Sequence, residues 1–287
     1  MESTNEISVE NIVKTYGLRN KIVAIDNVTF SVKSGTCTSL VGPNGAGKTT
    51  LLKVVSGLTS RYQGKVSVNG RVSLSPEVSV NFPFMDAVEN ILYFSKVVDR
   101  NIDPTNILKE VNLVPRGQQA YSYSKGMKRK LDIARALSLG AKSILMDEPF
   151  DGLDPGASDE LVNIINSLKN EGITFLISSH DLHRLTDISD NVVFLKKGRV
   201  GGIRDLMVRN RLIVNFAENS NLAVDLLEKM GCIITNSEMR ELHFIPSPRL
   251  KTWEIIGNLI SNGVEVTGVS NETLDSDYRR IYHGNMD

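Results

Sequence analysis

The sequence predicts an α/β fold organised around a phosphate-binding loop, and three observations carry that expectation. Gly42-Pro43-Asn44-Gly45-Ala46-Gly47-Lys48-Thr49, followed by Thr50, has the spacing G-x-x-x-x-G-K-[ST]. It lies between a β-branched run, Thr36–Val41, and a segment, Thr50–Ser56, that can continue as a helix; the motif counts as evidence only in that strand–loop–helix context. Two further apolar runs, Ser143–Glu148 and Ile173–Ser178, have the character of strands buried on both faces, as a parallel sheet requires.

The loop carries a definite chemistry. Its glycines let the backbone curl so that successive N–H groups point inward at phosphate oxygens, and the following helix adds the partial positive charge of its N-terminus. Lys48 would reach the β- and γ-phosphates of a nucleotide, and the Thr49 hydroxyl would ligate Mg²⁺. Composition narrows the setting. The 287 residues are enough for one large domain or a domain with a smaller companion. Basic and acidic residues balance at 33 each, so no nucleic-acid partner is expected. Cys37 and Cys232 offer neither a disulfide framework nor zinc spacing, which fits a reducing cytosol. Met1–Glu10 is polar, with no signal peptide visible, and no apolar run approaches the ~20 residues needed to cross a bilayer. The expectation is a soluble chain that would serve a membrane process only from a partner's surface.

Taken in order, Ile7–Val13 and Ala24–Val32 alternate as half-buried strands do. Tyr16 stands between them. By itself it is an ordinary strand-end aromatic, but its place ahead of the loop makes it a candidate to stack on an adenine ring. Gly64–Gly70 and Arg71–Glu77 are short strands, the second ending at Pro76. Helices are expected over Asp86–Val97 and Thr105–Val111, interrupting the α/β alternation as a separate helical subdomain at about residues 78–140. Tyr123-Ser124-Lys125-Gly126-Met127 precedes a helix at Lys128–Leu139, with Ser124 as N-cap and Lys128-Arg129-Lys130 as a solvated face. Asp147 at the tip of its strand could hold Mg²⁺ beside Thr49, and Glu148 could polarise the attacking water as general base. Asp159–Asn170 has the apolar spacing of an amphipathic helix. His180 follows the next strand, at the sheet edge where ligands of open α/β folds bind, and so could touch a γ-phosphate. Val192–Leu195 and Gly198–Val200 suggest a closing hairpin. Past residue 208 the order is β-α-β-β-α-β, a ferredoxin-like arrangement, followed by a helix at Leu274–His283. That region has no catalytic constellation, and regulation or dimerisation is the expected role.

In this order, Tyr16, the loop 42–49, Tyr123-Ser124-Lys125-Gly126-Met127, Asp147-Glu148, Gly152-Leu153-Asp154 and His180 resemble the ATP-binding subunit of an ABC transporter, across residues 5 to 205. The resemblance implies a P-loop NTPase cassette at 1–207, with a mixed sheet core, antiparallel β and helical subdomains, and a small α+β accessory domain at 208–287. It implies ATP and Mg²⁺ as ligands, with Tyr16 on adenine and His180 sensing the γ-phosphate. Asp154 would couple two ATP sites across a dimer, and Ser124 and Gly126 would contact the nucleotide of the opposite subunit. A homodimer or heterodimer of ATP-binding subunits would then close over two ATP molecules on the cytoplasmic face of the membrane. The tail is similar to that of drug, bacteriocin or polysaccharide exporters whose permease is a separate chain. A soluble ABC ATPase acting on ribosomes or DNA is the alternative; such relatives usually carry paired cassettes, long coiled coils or zinc modules, and none is visible here. Two departures stand out. Lys125 and Met127 replace a glycine and the glutamine of the usual signature, a variant familiar among exporters. Glu77 stands where the family has a glutamine and would place a carboxylate beside Mg²⁺.

Overall fold

The computed structural model describes residues 5–17, 19–180, 182–206, 211–217, 221–247 and 250–283. They divide into two units, Met1–Asp205 and Leu206–Asp287. The boundary expected after residue 207 lies outside the described residues.

The first unit opens with β1 (Asn5–Tyr16), β2 (Ile22–Lys33), β3 (Cys37–Val41), α1 (Lys48–Val55), β4 (Gln63–Val68) and β5 (Val72–Ser75). It continues through α2 (Ala87–Val97), α3 (Pro104–Glu110), α4 (Lys125–Ser138), β6 (Ser143–Asp147), α5 (Pro155–Asn170), β7 (Thr174–Ser179), α6 (Leu182–Ile188), β8 (Asn191–Lys196) and β9 (Arg199–Asp205). Strands β2-β1-β4 form an antiparallel sheet, and β5-β6-β7-β3-β8-β9 form a second sheet that is parallel except for its last pair. Every residue of β3, β6 and β7 is buried, which is why these strands lack polar alternation. Leu40, Leu51, Leu52, Leu145 and Leu176 share one apolar cluster with Ile7, Ile25 and Val28, packing α1 between the two sheets' residues.

Two helices begin earlier than apolar spacing predicts, and a cap explains each. The Ser124 hydroxyl accepts from the Met127 N–H at 3.2 Å, so α4 starts at Lys125 rather than Lys128. Asp154 Oδ1 accepts from the Ala157 N–H at 3.0 Å, and Pro155 occupies the first helical position, so α5 starts there rather than at Asp159. Helix α6 was not expected; its seven residues are too few to show a period.

The second unit contains β10 (Leu212–Phe216), α7 (Asn221–Lys229), β11 (Ile233–Glu238), β12 (Glu241–Ile245), α8 (Thr252–Ser261), β13 (Val266–Asn271) and α9 (Leu274–His283). Its sheet runs β11-β12-β10-β13 with antiparallel pairs throughout. Val214, Phe216, Leu242 and Phe244 pack against Ala223, Leu227, Ile255 and Leu259 of α7 and α8. Alternation along β12 turns His243 away from Leu242 and Phe244, toward Glu272 and Arg280 of α9.

Candidate functional site

Strand register assembles the site. Val41 of β3 pairs with Ser179 of β7, and Asp147 of β6 pairs with Ser178, so three parallel strands end at one level. The residues that follow them, Gly42, His180 and Glu148, therefore leave the sheet side by side.

The loop between β3 and α1 is braced from behind. Gly198 N–H donates to the Ala46 carbonyl at 3.0 Å, and Asp26 N–H donates to the Gly198 carbonyl at 2.8 Å. Gly47 precedes α1 with φ of 107°, and a Cβ there would stand 2.6 Å from the Ala24 carbonyl oxygen. Glycine is thus required for two independent reasons, conformation and close approach. Pro43, Asn44, Gly45 and Thr49 are exposed, Thr50 is half-buried, and Gly42, Ala46 and Lys48 are buried.

Lys48 turns back into the loop. Its Nζ donates to the Gly42 carbonyl at 2.6 Å and lies 3.3 Å from Glu148 Oε1. The other oxygen of that carboxylate accepts from the His180 N–H at 3.2 Å and lies 2.9 Å from His180 Nδ1. Glu148 therefore bridges the loop lysine and the histidine. Its backbone is held in the left-handed region, φ 45°, by an N–H that donates to the Ser178 carbonyl at 3.1 Å and to the Ser178 hydroxyl at 3.0 Å. The same hydroxyl donates to Asp147 Oδ1 at 2.6 Å. One serine thus sets both carboxylates, a part that sequence alone left unseen because Ser178 is simply the end of an apolar strand.

The remaining candidates are distributed around this centre. Tyr16 is 41% exposed at the end of β1, with Lys14 Nζ 4.7 Å from its ring centroid. Ser124 and Asp154 are exposed helix caps, and Gly126 is buried, where a Cβ would meet that of Ala157 at 3.0 Å. Glu77 is exposed; its carbonyl accepts from Arg129, and its side chain lines a cavity of about 180 Å³ with Lys125, Lys128 and Asp151.

The run Lys128-Arg129-Lys130 is not the solvated face expected. Arg129 and Lys130 are 7% and 9% exposed. Lys130 donates to the Asn112 carbonyl and pairs with Glu160, while Arg129 donates to the Pro76 and Glu77 carbonyls at 2.8 Å each. Long cationic side chains can be buried when carbonyls and carboxylates meet their charge, and no local pattern announces such partners.

As for a metal, no group of three or more His, Cys, Asp or Glu among the described residues could hold one. Thr49 and Asp147 are hard oxygen donors, a set that suits a cation held chiefly through phosphates and water, as Mg²⁺ is.

A phosphate loop on a mixed sheet, with carboxylates and a histidine meeting it at the strand ends, defines a nucleotide-hydrolysing cassette. Residues 25–151 match the ABC transporter family. The lantibiotic transport ATP-binding protein SrtF of Streptococcus pyogenes is 31% identical over 207 residues, 68% of this chain and 88% of the relative. The manganese transport system ATP-binding protein MntA of Synechocystis sp. is 34% identical over 215 residues, 67% of this chain and 82% of the relative. Among solved structures, an ATP-binding subunit of an ABC transporter aligns at 28% identity with a TM-score of 0.62, over 72% of this chain and 92% of that one. A dimeric cassette in a post-hydrolysis state with ADP and Pi shares the fold, with a TM-score of 0.64 at 23% identity over 70% of this chain and 98% of that one. The chain belongs to the ATP-binding subunits of ABC transporters. It is an ATP-binding ATPase subunit of a transporter. No described helix is long and apolar enough to cross a membrane itself.

Proposed function

We propose that this subunit closes as a dimer over two ATP molecules and drives export through a separately encoded permease, from the cytoplasmic face of the membrane. The observation that carries the reading is the chain Lys48–Glu148–His180, in which one carboxylate spans the loop lysine and the histidine. Phosphate oxygens entering the loop would compete for Lys48 and release Glu148 from it. The freed carboxylate would then polarise water for attack, with His180 beside it to hold its orientation. Thr49 and Asp147 would hold Mg²⁺, which supplies charge neutralisation at the phosphates; Glu77, in the glutamine's place, would add its carboxylate to that ion. Tyr16 would stack on adenine, and the loop N–H groups of residues 42–50 would cradle the phosphates.

Closure needs the opposite subunit. Ser124 and Gly126 head a capped helix whose N-terminus is exposed and unoccupied by any acidic side chain in its first turn, suiting it to an anionic phosphate. Asp154 would join the two sites. Export is favoured by the signature variant Ser124-Lys125-Gly126-Met127 and by relatives named for lantibiotic transport and linearmycin resistance. The 206–287 unit is read as a regulatory or dimerisation domain.

The test is Glu148→Gln. It should retain ATP binding, lower kcat by about 100-fold or more, and accumulate as a nucleotide-dependent dimer in gel filtration. A variant that stays monomeric with ATP would overturn the paired-site mechanism.

A further inference from the structure

Helix α4 presents Arg129, Asp132 and Arg135, spaced three apart and so on one face, to β5 and the segment that follows it. Arg135 donates to the Leu74 carbonyl at 3.0 Å. Asp132 is fully buried and accepts from the Ser75 hydroxyl at 3.0 Å, the Ser79 hydroxyl at 2.8 Å and the Asn81 amide at 2.7 Å. Arg129 completes the row with its bonds to the Pro76 and Glu77 carbonyls, and stands 3.6 Å from Asp132. Residues 74–81 are thus fastened to α4 by a polar seam.

Arg129 does one thing that the other two do not. Its Nη2 also donates to the carbonyl of Glu148, at 3.4 Å. That carbonyl accepts from the Asp151 N–H as well, at 3.2 Å, while Ser178 holds the N–H on the other side. A non-glycine residue persists at positive φ only where its surroundings over-determine it. A planar guanidinium offers several donors in one fixed fork, which an ammonium on a flexible stem does not.

We propose that Arg129 is a positioning residue for ATP hydrolysis: its guanidinium keeps the Glu148 backbone in its left-handed conformation and ties it to the Pro76–Glu77 segment and to the helix capped by Ser124. The inference rests on Glu148 being the residue that polarises water. Rotation of the Glu148 peptide would swing its carboxylate out of the gap between Lys48 and His180, removing it from the reacting water without disturbing the loop that binds phosphate. The effect should therefore fall on kcat and leave KM alone. Because the same guanidinium belongs to α4, any shift of that helix on dimer closure is passed to Glu148 directly.

Steady-state ATP hydrolysis and nucleotide affinity of the full chain test this, with Arg129→Met, Arg129→Lys, Arg135→Met and Glu148→Gln measured together. Arg129→Met should lower kcat by about 10- to 100-fold while KM and ATP affinity stay within about 2-fold. Arg129→Lys, keeping the charge without the fork, should recover part of the loss. Arg135→Met removes a comparable buried cation from the same seam and should leave kcat within about 3-fold of the parent. Equal losses of kcat in Arg129→Met and Arg135→Met, tracking equal losses of Tm, would make Arg129 merely structural and overturn the proposal. So would a normal kcat in Arg129→Met alongside a crippled Glu148→Gln. A normal kcat in Glu148→Gln would instead remove the reading on which the proposal stands. If Arg129→Met does not fold, Arg129→Lys decides: a reduced kcat at unchanged KM supports the role, and an unchanged kcat overturns it.

Discussion

Both units of this protein bury charged side chains, but they close them on different things. In the first unit Lys48, Arg129 and Asp147 are all under 10% exposed, and Lys48 belongs to a loop whose Asn44, Gly45 and Thr49 face solvent. Their partners are backbone carbonyls, a hydroxyl and the carboxylates of Glu148 and Asp132, so an arriving anion can compete for Lys48. In the second unit His243 lies 2.8 Å from Glu272 Oε1 and is bonded to Glu241, and Arg280 pairs with Glu272 and Asp277. Those charges complete one another between a sheet and α9. Burying a charge is costly unless it is paired, so both clusters are paired. The first borders the phosphate-binding loop, whereas the second joins β12 and the residues after β13 to α9, and that difference separates a ligand site from a clasp.

The comparison can be broken most sharply at the loop. Lys48→Ala should weaken ATP binding at least about 30-fold, since truncating one partner of a buried charge contact costs about 2 kcal/mol or more. Calorimetry reads this directly, and an unchanged affinity would take Lys48 out of the phosphate site.

A smaller effect is expected from pH in the second unit. Burial by itself pulls the His243 imidazole down, but the Glu272 and Glu241 carboxylates outweigh burial and leave its pKa raised, with Arg280 opposing them. Since the folded value lies above the unfolded value of about 6.5, this contact stabilises fully below about pH 6.5 and is lost as pH rises through the folded value. Thermal unfolding of the chain followed by far-UV circular dichroism at a series of pH values reads it. His243→Gln should flatten that pH dependence; an equally steep profile in the variant would assign it elsewhere.

The smallest effect should come from removing residues 206–287. If the charges of the second unit form a clasp and no part of the nucleotide site, ATP affinity is unchanged in the truncated protein. Loss of binding in a truncated protein that retains the helix and strand content of the first unit would show that the two units share the site.

What could be read in advance was whatever is local in sequence. The glycine spacing of 42–49, the cap Ser124, and the carboxylates closing an apolar strand at 147–148 each announce themselves within a few residues, because turn conformation, capping and strand burial are short-range matters. The contacts that tune those residues are long-range. Ser178 reaches Asp147 across 31 positions, and Arg129 reaches Pro76 across 53. Arg129 bonds a main-chain carbonyl there, a group every residue possesses, so no pairing of side-chain types could have marked it. By itself the sequence determined which groups could hold and cleave a nucleotide. Only the parallel register of β3, β6 and β7 decided that Lys48, Glu148 and His180 meet at one point, because strand pairing selects neighbours by backbone geometry rather than by side-chain identity.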